Sequence, residues 1–272
     1  MAFWWVLGVA LASMSWLLAE PAWREYRRAR LRRSAFPAAW RKIVRRRVPL
    51  VARMPVALQL QLKAHMQVFL AEKPFIGCAG LVLSDEMRVT VAAQACLLLL
   101  NRRTDYYADL RQILLYPGSF VVERVANGPG GVVSEQRLAL AGESWSQGQV
   151  VLSWQDVLNG AAHAEDGRNV VIHEFAHQLD QHSGRANGAP ALAGPRQYRH
   201  WSAVLGHAFT RLQQDARQGR TTLLSHYGAT DPAEFFAVAS EVFFEQPREL
   251  LSGHPALYEQ LAQYYRVSPA QW

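Results

Sequence analysis

Val170–Gly184 reads VVIHEFAHQLDQHSG. Apolar residues at Val170, Val171, Ile172, Phe175, Ala176 and Leu179 predict a helix with a buried side. His173 and His177 are four residues apart on it, so both imidazoles leave one face, close enough to share a metal ion. Glu174 lies beside them, placed to take a proton from an attacking water and return it to a leaving amine. H-E-x-x-H also arises by chance, so its surroundings must decide. Two buried imidazoles need partners for their ring nitrogens. Upstream, GQVVLSW (residues 148–154) is strongly β-prone and would offer a strand edge to an extended peptide. The reading is one Zn²⁺ in a hydrolytic site, on an α+β fold that is rich in helix and has a small sheet.

A catalytic zinc takes three protein ligands and leaves a position for water. The longer pattern H-E-x-x-H-x-x-G-x-x-H is absent, because Asp180 and Ser183 occupy its glycine and histidine positions. His182 would face away from the pair if the helix continues. HYGATDPAEFFAVASEVFF, residues 226–244, predicts a second helix at the site, with Asp231 as cap and Pro232 in its first turn. Glu234 and Glu241 share a face of that helix in an apolar window. A buried carboxylate there needs a metal, a charge or a donor, although Glu234 would also complete a capping box with Asp231. Asp180 and Glu241 are both candidates to accept the second N–H of a metal-bound histidine, or simply structural charges.

HEFAHQLD together with YGATDPAEFFAVASEVFF resembles the Mlc titration factor A family of bacterial zinc peptidases and, more distantly, the catalytic domain of anthrax lethal factor. ILLYPGSFVV and GESWSQGQVVLSW extend the likeness over roughly residues 50–270. The resemblance implies a zincin-like peptidase domain with His173, His177 and Glu234 as zinc ligands and Glu174 as general base. It implies that Tyr227 donates to the oxyanion of the tetrahedral intermediate. It implies aminopeptidase-like cleavage of short peptides, and binding to the Mlc repressor with a link to glucose uptake. The alternative from another class is a regulatory protein with a structural zinc that sequesters a repressor without catalysis.

Outside the motifs, PVALQLQLKAHMQVFLAEKPF from Pro55 and MRVTVAAQACLLLLN from Met87 predict buried helices. ILLYPGSFVVERV predicts two short strands around Pro117-Gly118, and NGPGG (127–131) a loop. Asn169 or Asp166 is the expected cap of the motif helix. Residues 184–197 read as loop, with helices near 198–218, 232–245 and 254–264. Cys78 and Cys96 both lie in apolar surroundings and read as buried thiols of a reducing compartment, which argues against a disulfide scaffold.

The N-terminus departs from the soluble pattern that the resemblance implies. Residues 1–19, MAFWWVLGVALASMSWLLA, carry no charge and at helical rise span about 28 Å, one hydrocarbon thickness. Residues 21–50 then hold 11 Lys/Arg against one acid, whereas 51–272 are near balance, although the whole chain carries +7. Positive charge after the apolar run and none before it favours an uncleaved inner-membrane anchor (1–20), a basic juxtamembrane linker (21–50) and a cytoplasmic domain (51–272). A soluble cytoplasmic chain is the alternative. The basic stretch 24–47 suits anionic headgroups. With no recognised reading motif, no direct nucleic-acid partner is expected.

Overall fold

Prolines divide the first third of the chain into helices. In the computed structural model α1 (Ala2–Arg33) is followed by α2 (Ala38–Arg47), α3 (Leu50–Arg53) and α4 (Val56–Glu72), and Pro37, Pro49 and Pro55 stand at the N-terminal caps of the last three. Such a ring cannot donate a helical hydrogen bond, so proline fits where that donor has no partner. Backbone is described for residues 2–118, 120–127, 133–140, 142–145, 148–182, 184 and 186–272, and side chains for these except 2, 6–13, 15, 17–18 and 120–145. The predicted loop at 127–131 lies almost wholly outside them.

Strand β1 (Phe75–Gly77) leads into α5 (Asp85–Leu97), capped by Ser84. Every α5 residue from Val89 to Leu97 is buried, so α5 runs through the core. Next come β2 (Gln112–Tyr116), β3 (Phe120–Asn127), β4 (Val133–Leu140), β5 (Gly142–Trp145) and β6 (Gln149–Ser153). The helices α6 (Trp154–Ala162), α7 (Val170–Gln181), α8 (Pro195–Arg217), α9 (Pro232–Glu245), α10 (Pro247–Gly253) and α11 (Pro255–Tyr265) complete the chain. The α+β expectation holds: a helix-rich body carries a small sheet of order β1-β2-β6-β5, with a separate β3-β4 hairpin.

The strands on either side of Pro117-Gly118 form as expected but do not pair with each other. β2 joins β1 and β6 in parallel, and β3 pairs with β4. A second expectation is corrected by the strand order. The strand expected over residues 148–154 offers no open edge, because β6 has β2 on one side and antiparallel β5 on the other. Among the described residues the outer strand on that side of the sheet is β5. Continuous burial of Val150–Ser153 fits an interior strand better than an edge.

The basic segment is built into the body. Arg28 is buried, makes a bidentate bond to Glu72 (2.8 and 2.7 Å), donates to the Asp105 carbonyl and lies over the Tyr106 ring. Arg46 and Arg47 meet Glu86, and Val44, Val48, Leu50 and Val51 join the core. Ahead of this, Phe3, Trp4, Trp5, Met14, Trp16 and Trp23 are exposed. Among the described residues no helix is long and apolar enough to cross a membrane, and most side chains of the expected anchor fall outside them. Cys96 is buried and Cys78 half-buried, both as free thiols.

Candidate metal centre

The centre is built from two helices. α7 begins at Asn169, whose Oδ1 accepts the backbone N–H of Ile172 at 3.0 Å, and of the two expected caps it is Asn169 that serves. Phe175 anchors the helix among Phe69 and Tyr107, with ring centroids 5.7 and 4.9 Å away. That buries one side of α7 and turns His173 and His177 toward α9. At the start of α9, Asp231 Oδ1 accepts from Ala233 N (2.8 Å) and Glu234 N (3.0 Å), and Pro232 occupies the first turn. Asp231 thus caps the helix while the Glu234 carboxylate is directed elsewhere, toward the histidines.

Three atoms converge there. Glu234 Oε2 lies 3.0 Å from His173 Nε2 and 3.4 Å from His177 Nε2, and the two Nε2 atoms are 3.2 Å apart. Donors about 2.0–2.1 Å from a shared tetrahedral centre stand roughly 3.3 Å from one another, so two imidazoles and a carboxylate at these separations fit Zn²⁺. Among the described residues these three form the group of His, Cys, Asp and Glu side chains placed closely enough to hold a metal ion.

Glu241, the other candidate ligand, sits behind the triad. Its Oε1 meets His173 Nδ1 at 2.7 Å, and its Oε2 accepts the backbone N–H of Asn169. With a metal ion at Nε2, this contact would keep the remaining ring proton of His173 on Nδ1. Burial opposes charge on His173, but Glu241 and Glu234 outweigh it and raise its pKa well above the usual range. Burial would likewise raise Glu234, yet its bonds to His173 and His177 hold it far below the ordinary carboxylate value. The same carboxylate pair favours a cation between His173, His177 and Glu234.

Glu174 is buried, and one of its oxygens has no hydrogen-bond partner among the described residues. Burial pushes its carboxyl up to about 7 against the pull of the two histidines. Tyr227 stands on a 3-10 turn, His226–Ala229, half in solvent, with its ring centroid 5.8 Å from that of His173. Asp180 is fully buried but is engaged with the backbone of Asn187 and Gly188, and burial raises its pKa. His182 turns away toward Asp109 and Asp105 (3.2 and 3.7 Å).

Sequence reasoning missed the support beneath the triad. Asn169 Nδ2 donates to Gln94 Oε1 (2.8 Å) and Glu245 Oε1 (2.9 Å), and Glu245 Oε2 accepts from Arg168 N (3.0 Å). Gly160 on α6 allows this packing, since a Cβ there would lie 3.0 Å from the Asn169 Cα. The available signal was Glu245, four residues past Glu241 in an apolar helix.

Residues 23–266 match the family described as glucose-regulated metallo-peptidase M90. The chain belongs to this metallopeptidase family. An uncharacterized protein of Synechocystis is 38% identical over 97% of this chain and 96% of its own length. The Mlc titration factor A proteins of Salmonella agona (34% identical) and Salmonella arizonae (33%) each match 82% of this chain, and 84% and 89% of their own lengths. The M90 match begins inside α1 and takes in the basic segment, in keeping with its burial on the body.

Proposed function

We propose that this chain is a zinc-dependent metallopeptidase in which His173, His177 and Glu234 hold the metal. The convergence of three ligand atoms within 3.0–3.4 Å from two separate helices carries this reading. Zinc held there supplies the positive charge that acidifies a water and polarises a peptide carbonyl. Glu174, buried next to His173 with one oxygen that has no hydrogen-bond partner among the described residues, accepts the proton of the attacking water and delivers it to the departing amine. Tyr227 faces solvent beside His173, where its hydroxyl can donate to the oxyanion of a substrate carbonyl. The backbone edge of β5, antiparallel to β6 and packed beside α7, suits an extended peptide. This arrangement fits a zincin-like, gluzincin-type site with aminopeptidase-like action. Metal analysis with peptide turnover on wild type and Glu174→Gln tests it: the variant should keep zinc and lose turnover. Full turnover without Glu174 would overturn the assignment.

The relatives named Mlc titration factor A favour a second reading, in which the chain binds an Mlc-type repressor whether or not it cuts peptides. Repressor capture unaffected by Glu174→Gln would support that role. The exposed tryptophans of α1 ahead of its arginines support seating at the cytoplasmic face of the inner membrane. Fractionation of the full chain, with and without residues 1–22, tests this. Soluble recovery of the full chain would overturn it.

A further inference from the structure

Asp180 shares the ligand face of α7 yet makes no described hydrogen bond to either histidine. Its Oδ2 accepts two backbone N–H bonds, from Asn187 at 2.8 Å and Gly188 at 2.7 Å. A carboxylate gripping two amides forms charge-assisted bonds, stronger than neutral ones. The loop it grips is held elsewhere too. Trp201 on α8 donates its Nε1–H to the Gly188 carbonyl at 2.8 Å, and Asn187 Oδ1 accepts from Ala189 N at 2.9 Å. Gly188 has φ +76°, and a Cβ there would stand 2.3 Å from the carbonyl oxygen of Pro232. Pro232 opens α9, two residues before Glu234.

The two halves of the metal centre differ in mechanical support. His173 and His177 ride on a helix buried in the core, whereas Glu234 stands on the first turn of α9, where helices loosen most readily. Asp231 caps that turn from within, but its cap does not fix the turn relative to α7. The Asn187–Gly188 backbone does, because it is tied to α7 through Asp180 and lies flush against Pro232. We infer that Asp180 is a positioning residue for Glu234: through Gly188 it sets the distance between that carboxylate and the imidazole pair. The inference rests on the reading of His173, His177 and Glu234 as the zinc site.

Zinc affinity of the full-length chain, measured by competition with a chromogenic chelator, tests the latch. Asp180→Ala and Gly188→Ala should each weaken zinc binding by about 10- to 100-fold, the usual effect of losing an outer support. Asp180→Asn should lose less than Asp180→Ala, since its carbonyl oxygen still accepts both amides, though without the charge. In a Glu234→Ala background, adding Asp180→Ala should cost nothing further, because the ligand it positions is gone. Losses of equal size with and without Glu234 would overturn the latch, as would wild-type affinity in Gly188→Ala. Should Asp180→Ala fail to fold, the Gly188→Ala pair in the two backgrounds decides the matter. A wild-type chain that takes up no zinc would sink the site reading itself and the latch with it, a result distinct from zinc uptake with additive losses.

Discussion

Glu241 Oε1 lies 2.7 Å from His173 Nδ1, so this carboxylate orients the imidazole of His173 from behind the group formed by His173, His177 and Glu234. Its position seven residues after Glu234 puts it two turns further along α9, level with the start of α7. Replacing it with Ala should lower zinc affinity by about 10- to 100-fold without emptying the site at saturating metal. Chelator competition checks this. If Glu241→Ala abolishes binding while Glu234→Ala spares it, the two roles are reversed.

Tyr227→Phe removes a hydroxyl and leaves the ring against His173. If the hydroxyl donates to the oxyanion, kcat should fall by about 10²- to 10³-fold with KM little changed. Steady-state kinetics on a short peptide measure the split, and a loss confined to KM would assign Tyr227 to substrate binding.

Asn169→Ala deletes a helix cap and strands the buried Gln94 and Glu245 side chains. The cap alone is worth about 1 kcal/mol and each of the two stranded groups about 1–3 kcal/mol, so the variant should be destabilised by roughly 3–7 kcal/mol. Asn169→Ser keeps a capping oxygen and should recover about 1 kcal/mol of that. Urea denaturation of the two variants beside wild type gives both figures.

His65 is buried against the Tyr106 hydroxyl, 3.0 Å from its Nδ1, and burial, aided by the Arg32 charge, lowers its pKa to about 4. Between the usual value of about 6.5 and 4 the unfolded chain takes up a proton that the folded chain refuses. Stability should therefore decline as pH falls through that window, by up to about 3 kcal/mol from this residue. His65→Gln should flatten the difference curve against wild type in denaturant titrations at pH 7, 5.5 and 4. Parallel curves would remove His65 as the cause.

The local elements were legible because their causes are local. Asp231-Pro232 marked the start of α9, Asn169 the start of α7, and the periodicity around Phe175 the buried side of α7. The convergence of Glu234 on the histidines is a long-range fact. Spacing alone left Glu234 and Glu241 as equals on one face; the family resemblance pointed to Glu234, and the packing of α9 on α7 brings its carboxylate to both Nε2 atoms and puts Glu241 behind His173. Strand pairing was illegible for the same reason: β2 and β3 flank one turn yet belong to different sheets. Arg28 counts in the sequence as part of a basic linker suited to anionic headgroups, since nothing in its neighbourhood announces Glu72, 44 residues away, as its bidentate partner. The spacing of Asp180 from His173 and His177 put it on the ligand face of α7, but nothing local pointed to the loop it holds.

One carboxylate joins two events usually measured apart. Glu241 holds the Asn169 amide proton with one oxygen and the His173 ring with the other, so a cation held at Nε2 would stiffen the same lever that shields that amide. Hydrogen–deuterium exchange at Asn169 would then serve as a gauge of metal loading that needs no substrate, slow with the centre filled and faster once a chelator strips it.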